Sequence, residues 1–176
     1  MPMRPTSVRV SAAGFSDWVP LNRYSSAFGV GLGVVIPENA TLTVTVQHTF
    51  DNLYTKYTDF SASRVTTTVT VTQVNHGLKT GDWVKITNAG APFDGEFAVA
   101  STADFDTFTY TVADSGAASA GGNRVMQKAR VFNHAVLAGL TASADSNYSQ
   151  PPTATRLSCS AYTDGFADLM IVSGGK

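Results

Sequence analysis

One cysteine, Cys159, is all that a chain of 176 residues carries, so no intramolecular disulfide can staple the fold, which must hold by packing or by assembly. Charge is scarce as well. Asp, Glu, Lys and Arg make up 14% of the residues, against roughly 25% in an average soluble domain, and neutral polar groups must therefore cover much of the surface. Twelve basic and 13 acidic residues leave a net charge of -1, so no field of one sign draws the chain to nucleic acid or to an acidic lipid surface. No stretch approaches the roughly 18 apolar residues of a spanning helix, and MPMRPTSVRV lacks the apolar centre of a secretory leader. Synthesis in the cytoplasm is expected, without a nucleic-acid or membrane partner. Only three histidines occur, His48, His76 and His134, and none has a partner at metal-ligand spacing; no metal or other cofactor is expected.

What is abundant is β-branched: 22 threonines and 19 valines, residues that fit a pleated sheet better than a helix. The predicted class is all-β. Met1, Pro2, Met3, Arg4 and Pro5 form an extended arm by their prolines, a candidate contact segment for a larger surface. Residues 7–10 and 17–21 read as short strands with a turn at Ala13, Gly14 and Phe15. In FGVGLGVVI the period of two puts Val30, Leu32, Val34 and Ile36 on one face and Gly29, Gly31 and Gly33 on the other. One side of that strand is bare backbone, which invites close approach by an internal aromatic, another sheet or a second molecule. The next strand alternates cleanly, with Leu42, Val44, Val46, His48 and Phe50 inward. Residues 51–63 lose the alternation and read as a loop or short helical turn pinned by aromatics.

From Val65 the texture changes. Residues 65–74 read as one Thr/Val strand; Thr80, Gly81 and Asp82 supply a tight turn; residues 93–95 and 104–106 supply two more; and DTFTYTV alternates with Phe108, Tyr110 and Val112 on one face. Residues 115–123 have a linker's composition. Residues 143–152 read as a polar loop, and residues 169–172, apolar without alternation, as a central strand buried on both faces. The organisation these readings predict is a β-sandwich of residues 1–64 and 124–176, jelly-roll-like, interrupted at 65–123 by a small β-barrel or sandwich module.

No catalytic constellation can be named. Asp94 and Glu96 flank Gly95 at a spacing that a solvated hairpin shares with a glycosidase pair. Cys159, between two serines on a strand, has no mark of activation, and the glycines of GVGLG lack the Lys-Ser/Thr ending of a phosphate loop. An enzyme is not expected.

VNHGLKTGDWVKITNAG, DGEFAV and DTFTYTV together resemble a small β module of tail fibres and other structural proteins of tailed bacteriophages, on Asn75, His76, Gly77, Leu78, Thr80, Gly81, Asp82, Gly95 and the Phe108, Thr109, Tyr110 strand. The flanking VQHTFDN and FNHAVLAGLTASADSNYSQPPTATRL resemble small phage proteins that decorate or cement capsids. The resemblance implies a structural turn role for Asn75, His76, Gly77, Thr80, Gly81 and Asp82. It implies a capsid decoration protein on the outer surface of the virion, acting as a dimer or trimer, with the major capsid protein as partner and the module projecting. A tail, neck or fibre adaptor is the alternative reading. A glycan-binding or hydrolytic virion component is the third, with Trp83, Phe93, Phe97 and Tyr110 available to stack on sugars.

Overall fold

The computed structural model describes residues 6–21, 29–113, 116–150 and 152–174, and the arm Met1, Pro2, Met3, Arg4 and Pro5 lies outside them. Among the described residues there are sixteen strands and no helix. The protein is all-β, and the chain divides into two compact units, Met1–Phe50 with Phe132–Lys176 and Asp51–Val131.

The first unit is a β-sandwich. One sheet has the order β1 (Thr6–Val10), β16 (Ala167–Gly174), β4 (Gly29–Val35), β14 (Ala144–Tyr148). The other has β13 (Phe132–Asn133), β5 (Thr41–Thr49), β15 (Ala154–Asp164), β2 (Gly14–Phe15), with β3 (Val19–Pro20) also on β15. Every pairing is antiparallel. The alternating apolar residues close one core between the sheets: Val30, Leu32 and Val34 from β4, Leu169 and Ile171 from β16, Val44 and Val46 from β5, Leu157 from β15. Each such side chain contributes roughly 1.5–3 kcal/mol by leaving water.

Several expectations need correction. β14 replaces the predicted polar loop: its backbone pairs with β4 from Ala144↔Val34 to Tyr148↔Val30, and Tyr148 alone supplies the buried anchor. β16 is not buried on both faces. Leu169 and Ile171 are buried, but Met170 and Val172 are about 40% exposed, because nothing among the described residues covers the outward side of this sheet. The inward series of β5 ends at Val46; His48 is only half-buried, Thr49 is buried and Phe50 is exposed. The predicted turn at Gly14 and Phe15 is a short strand against Cys159 and Ser158, and the strand after it shrinks to two residues.

The second unit is built from β6 (Ser61–Val65), β7 (Thr68–Thr72), β8 (Trp83–Thr87), β9 (Gly95–Ala98), β10 (Ser101–Thr102), β11 (Thr107–Thr111) and β12 (Val125–Ala129), in two sheets ordered β10-β11-β7-β6 and β12-β8-β9. Phe60, Val69, Val71, Val84, Ile86, Phe93, Phe108, Tyr110 and Met126 share one core. The single strand expected over residues 65–74 is a hairpin. Thr66, at φ 51°, turns the chain so that Val65 faces Thr68, which places Ala62, Val69 and Val71 together in the core.

Nor is the Gly/Ala/Ser run a linker. Arg64 N–H donates to the Ala118 carbonyl at 2.8 Å and Ala120 N–H to the Ala62 carbonyl at 3.0 Å. The Arg64 guanidinium binds the carbonyls of Ala117 (3.2 Å) and Gly116 (3.0 Å). These bonds satisfy the open edge of β6, which would otherwise be an unpaired template. For the same reason the unit extends beyond the predicted seams at 65 and 123: β6 lies before one, β12 after the other, and each is hydrogen-bonded within this unit.

Candidate functional site

Two features of the second unit and one of the first hold the residues to which a function can be attached. The first is the loop from Asn75 to Asp82. Asn75 (φ 52°), Gly77 (φ 65°) and Gly81 (φ 87°) all take left-handed conformations, which asparagine and glycine tolerate best. Within the loop His76 is buried. Its Nδ1 accepts from Leu78 N–H at 3.0 Å and its Nε2 lies 3.0 Å from the Asp104 carbonyl, so both ring nitrogens are used in the neutral form. Asp82 is fully buried. Its carboxylate accepts from Lys79 Nζ at 2.6 Å, Lys79 N–H at 2.8 Å and Val131 N–H at 2.8 Å. This is a polar knot that fixes the backbone, and Thr80 is the exposed corner of the turn.

Beside that loop opens a cleft of about 250 Å³ lined by Asp51, Asn52, Thr55, Tyr57, Lys128 and Arg130 together with His76, Gly77 and Leu78. At its wall the Lys128 ammonium donates to Gln73 Oε1 at 3.0 Å and to the His76 carbonyl at 2.7 Å, and it stands 4.3 Å from the centre of the Tyr57 ring. Both hydrogen-bond acceptors are neutral. Burial holds its pKa below the usual lysine value, partly offset by the more distant Asp51. Across the cleft Arg130 grips Asp51 through Nη2 at 2.6 Å and Nε at 3.1 Å, while its own N–H donates to the same carboxylate at 2.7 Å. Those bonds keep the Asp51 carboxyl below the ordinary aspartate range. A second depression lies on the other side of His76, Gly77 and Leu78, lined also by Thr102, Ala103, Asp104 and Phe105, whose ring is 82% exposed.

In the first unit, Gly29, Gly31 and Gly33 face outward, as the period of two requires. Gly29 and Gly31 are exposed and Gly33 is half-exposed. Among the described residues no aromatic lies against them: a Cβ built on Gly31 or Gly33 would meet nothing nearer than 3.9 Å, and one on Gly29 nothing within 4 Å. The register sets Gly31 beside Val172 and Asn147, and Gly33 beside Met170 and Asp145. Val35 and Asp168 close the next row, where Arg9 pairs with Asp168 at 2.7 Å. The face is a shallow glycine trough between an apolar bank, Met170 and Val172, and a polar one, Asp145 and Asn147.

The other sequence candidates resolve into structural roles. Glu96 accepts from Lys85 Nζ (2.9 Å) and Trp83 Nε1 (3.2 Å), and Asp94 accepts from Ala89 N–H (2.8 Å). Trp83, Phe93 and Tyr110 are buried and cannot offer a face to a sugar, which corrects that expectation for these three, while the half-buried Phe97 stacks one face on Tyr110 at 4.3 Å. Cys159 is buried, its thiol 3.2 Å from the Ala161 carbonyl. Arg156, fully buried, has its guanidinium over Phe15 at 3.9 Å and over Trp18 at 4.4 Å, with Nε donating to Gln47 at 3.0 Å. His48 packs among Phe50, Phe132 and Tyr148. Among the described residues no cluster of His, Cys, Asp and Glu has the makings of a metal site. The cleft itself was not legible in the sequence, since Asp51, His76 and Lys128 meet only through the sheet pairing.

Comparison with known proteins adds little to this geometry. No protein-family model matches the chain, and no curated protein matches it. Among solved structures, the phage phi92 endosialidase shares 20% identity over 74% of this chain, at a TM-score of 0.33. The match covers 20% of that protein's length.

Proposed function

We propose that this chain is a non-catalytic structural component of a tailed-bacteriophage virion, and specifically a decoration protein that binds the outer shell of major capsid protein. The observation that carries the reading is the outward face of the β1-β16-β4-β14 sheet, which no described residue covers. Bare backbone at Gly29 and Gly31 lets a partner approach to van der Waals distance, and Met170, Val172 and Val35, each about 40% exposed, offer apolar area to bury. The proposed contact also takes in Met1, Pro2, Met3, Arg4 and Pro5, which precede β1 in the sequence. The occupant is chosen by the resemblance of the VQHTFDN and 132–157 segments to capsid-decorating proteins. The mechanism is binding alone. A protein that contacts only the assembled shell stabilises it by mass action, and repeated copies, as dimers or trimers bridging capsid subunits, add weak contacts into avidity.

Purified chain mixed with undecorated heads, washed and quantified against the major capsid protein tests the reading. A saturating ratio comparable to that of the capsid protein is expected. A few copies per particle, or none, would overturn it in favour of a neck, tail or fibre adaptor. Gly31→Arg locates the surface: the extended backbone accepts a side chain there, so the variant is expected to fold normally and to lose the particle.

A further inference from the structure

The cleft of the second unit holds a cation in no direct ion pair with a described residue. Lys128 is half-buried, and its two hydrogen-bond acceptors are the neutral Gln73 amide and the His76 carbonyl. No carboxylate of a described residue lies within ion-pair distance of it, whereas the carboxylate facing it across the cleft, Asp51, is held by Arg130. An ammonium removed from much of its water, and facing only a more distant carboxylate already bound by Arg130, is incompletely compensated. A ligand oxyanion would supply what the protein leaves out. The rest of the lining is hydroxyl, amide and one aromatic ring: Thr55, Asn52 and Tyr57. At about 250 Å³ the cleft lies just below the roughly 300–1,000 Å³ of drug-sized sites, room for one small ring rather than for a peptide.

We propose that this cleft binds an acidic sugar residue, with Lys128 as the anchor for its carboxylate and Asn52 and Thr55 facing its hydroxyls. A structural role for Lys128, tying β12 to the loop after β7, is met by its two neutral bonds; of its three ammonium protons these use two, and beyond them the ammonium has the Tyr57 ring 4.3 Å away. The proposal concerns the second unit alone. It is independent of the shell reading, and either can fail without the other.

The test is an NMR titration of the full chain at low ionic strength with glucuronate, with glucose and with inorganic sulfate as separate probes. Saturable shifts at residues 51–57, 76–78 and 128–130 are expected with glucuronate and far weaker ones with the other two. Lys128→Met is expected to weaken glucuronate binding about tenfold or more, the loss of one charge-assisted contact. Asn52→Asp, on an exposed rim residue where folding is not at stake, is expected to weaken it several-fold and decides the question if Lys128→Met loses its fold. Equal binding of glucose would remove the charge from the argument, equal binding of sulfate would remove the sugar, and no saturable shift or unchanged affinity in the variants would overturn the site.

Discussion

Removing the Asp82 carboxylate should cost the second unit more than any comparable surface change, and the sum can be worked from its partners. Asp82→Ala strands the Val131 N–H, whose bond is buried, and the Lys79 N–H, whose bond is part-buried. An unsatisfied buried donor costs about 1–3 kcal/mol, with the upper half for a lost charged acceptor. The Lys79 ammonium is a smaller item, because its side chain is 59% exposed and it keeps the Val131 carbonyl at 2.8 Å. The total comes to about 3–4 kcal/mol, against the roughly 4–12 kcal/mol expected for a unit of this length. Asp82→Asn, in either amide orientation, points an NH2 at a backbone donor and should cost about 2 kcal/mol. Lys79→Ala should cost about 1 kcal/mol or less. Each unit contains one tryptophan, Trp18 in the first and Trp83 in the second, so urea unfolding followed by Trp83 fluorescence in a Trp18→Phe background reads the second unit. A loss below about 1 kcal/mol for Asp82→Ala, or a larger loss for Lys79→Ala, would refute the reasoning that the buried backbone donors carry the cost.

Three further outcomes follow from the same packing. Burial, and secondarily the charge of His134, hold the His48 pKa below the usual value; with a folded value under the unfolded one, the stabilisation is complete above about pH 6.5 and is lost as pH falls through the folded value. Melting temperature against pH should therefore drop on the acid side for the parent and less for His48→Leu; parallel curves would refute this. Burial pushes the Tyr148 hydroxyl up to about 12, against a smaller opposing effect of its 2.8 Å bond to Thr155. Its contribution is full below the unfolded value of about 10 and lost as pH rises through the folded one. Ultraviolet difference titration should show one late-ionising tyrosine fewer in Tyr148→Phe. Finally, Asp51→Asn should weaken the second unit by about 1 kcal/mol, since Arg130 is 60% exposed. The difference from the parent should shrink in high salt, and a salt-independent difference would show the backbone bond to Arg130, rather than the charge, to be what matters.

Where alternation was strong, the strands were legible before any coordinates: residues 30–36, 41–46 and 107–111 show their buried and exposed faces in the sequence itself. What misled was composition without pairing. ADSNY reads as loop because only its tyrosine is large and apolar, yet β4 needs a neighbour and takes it. VTTTVTVT reads as one strand because threonine is as good in a strand as in the turn that Thr66 makes. The run GAASAGG reads as linker because small residues carry no face, although their backbone groups serve β6 all the same. Each miss is a place where a main-chain hydrogen bond, invisible in side-chain pattern, decided the structure.

The same distinction separates the two candidate surfaces. Gly29, Gly31 and Gly33 could be placed on one face by counting in twos, and only the question of what covers them needed the structure. Lys128 could not be placed, because its meaning depends on Gln73, His76 and Tyr57, more than 50 residues away in sequence and brought together by the β12-β8 pairing and the Tyr57–Met126 bridge. The turn motif that carries the resemblance does its work inside the second unit, where Asp82 and His76 spend every polar atom on backbone. Lys128 is the cation in that neighbourhood that this network leaves without a direct ion pair, which is why the rigidity of the loop is an argument for binding beside it. A cation held in place by a satisfied scaffold needs no reorganisation when an anion arrives, and pre-organisation of this kind lowers the ordering cost that weakens most small-ligand sites.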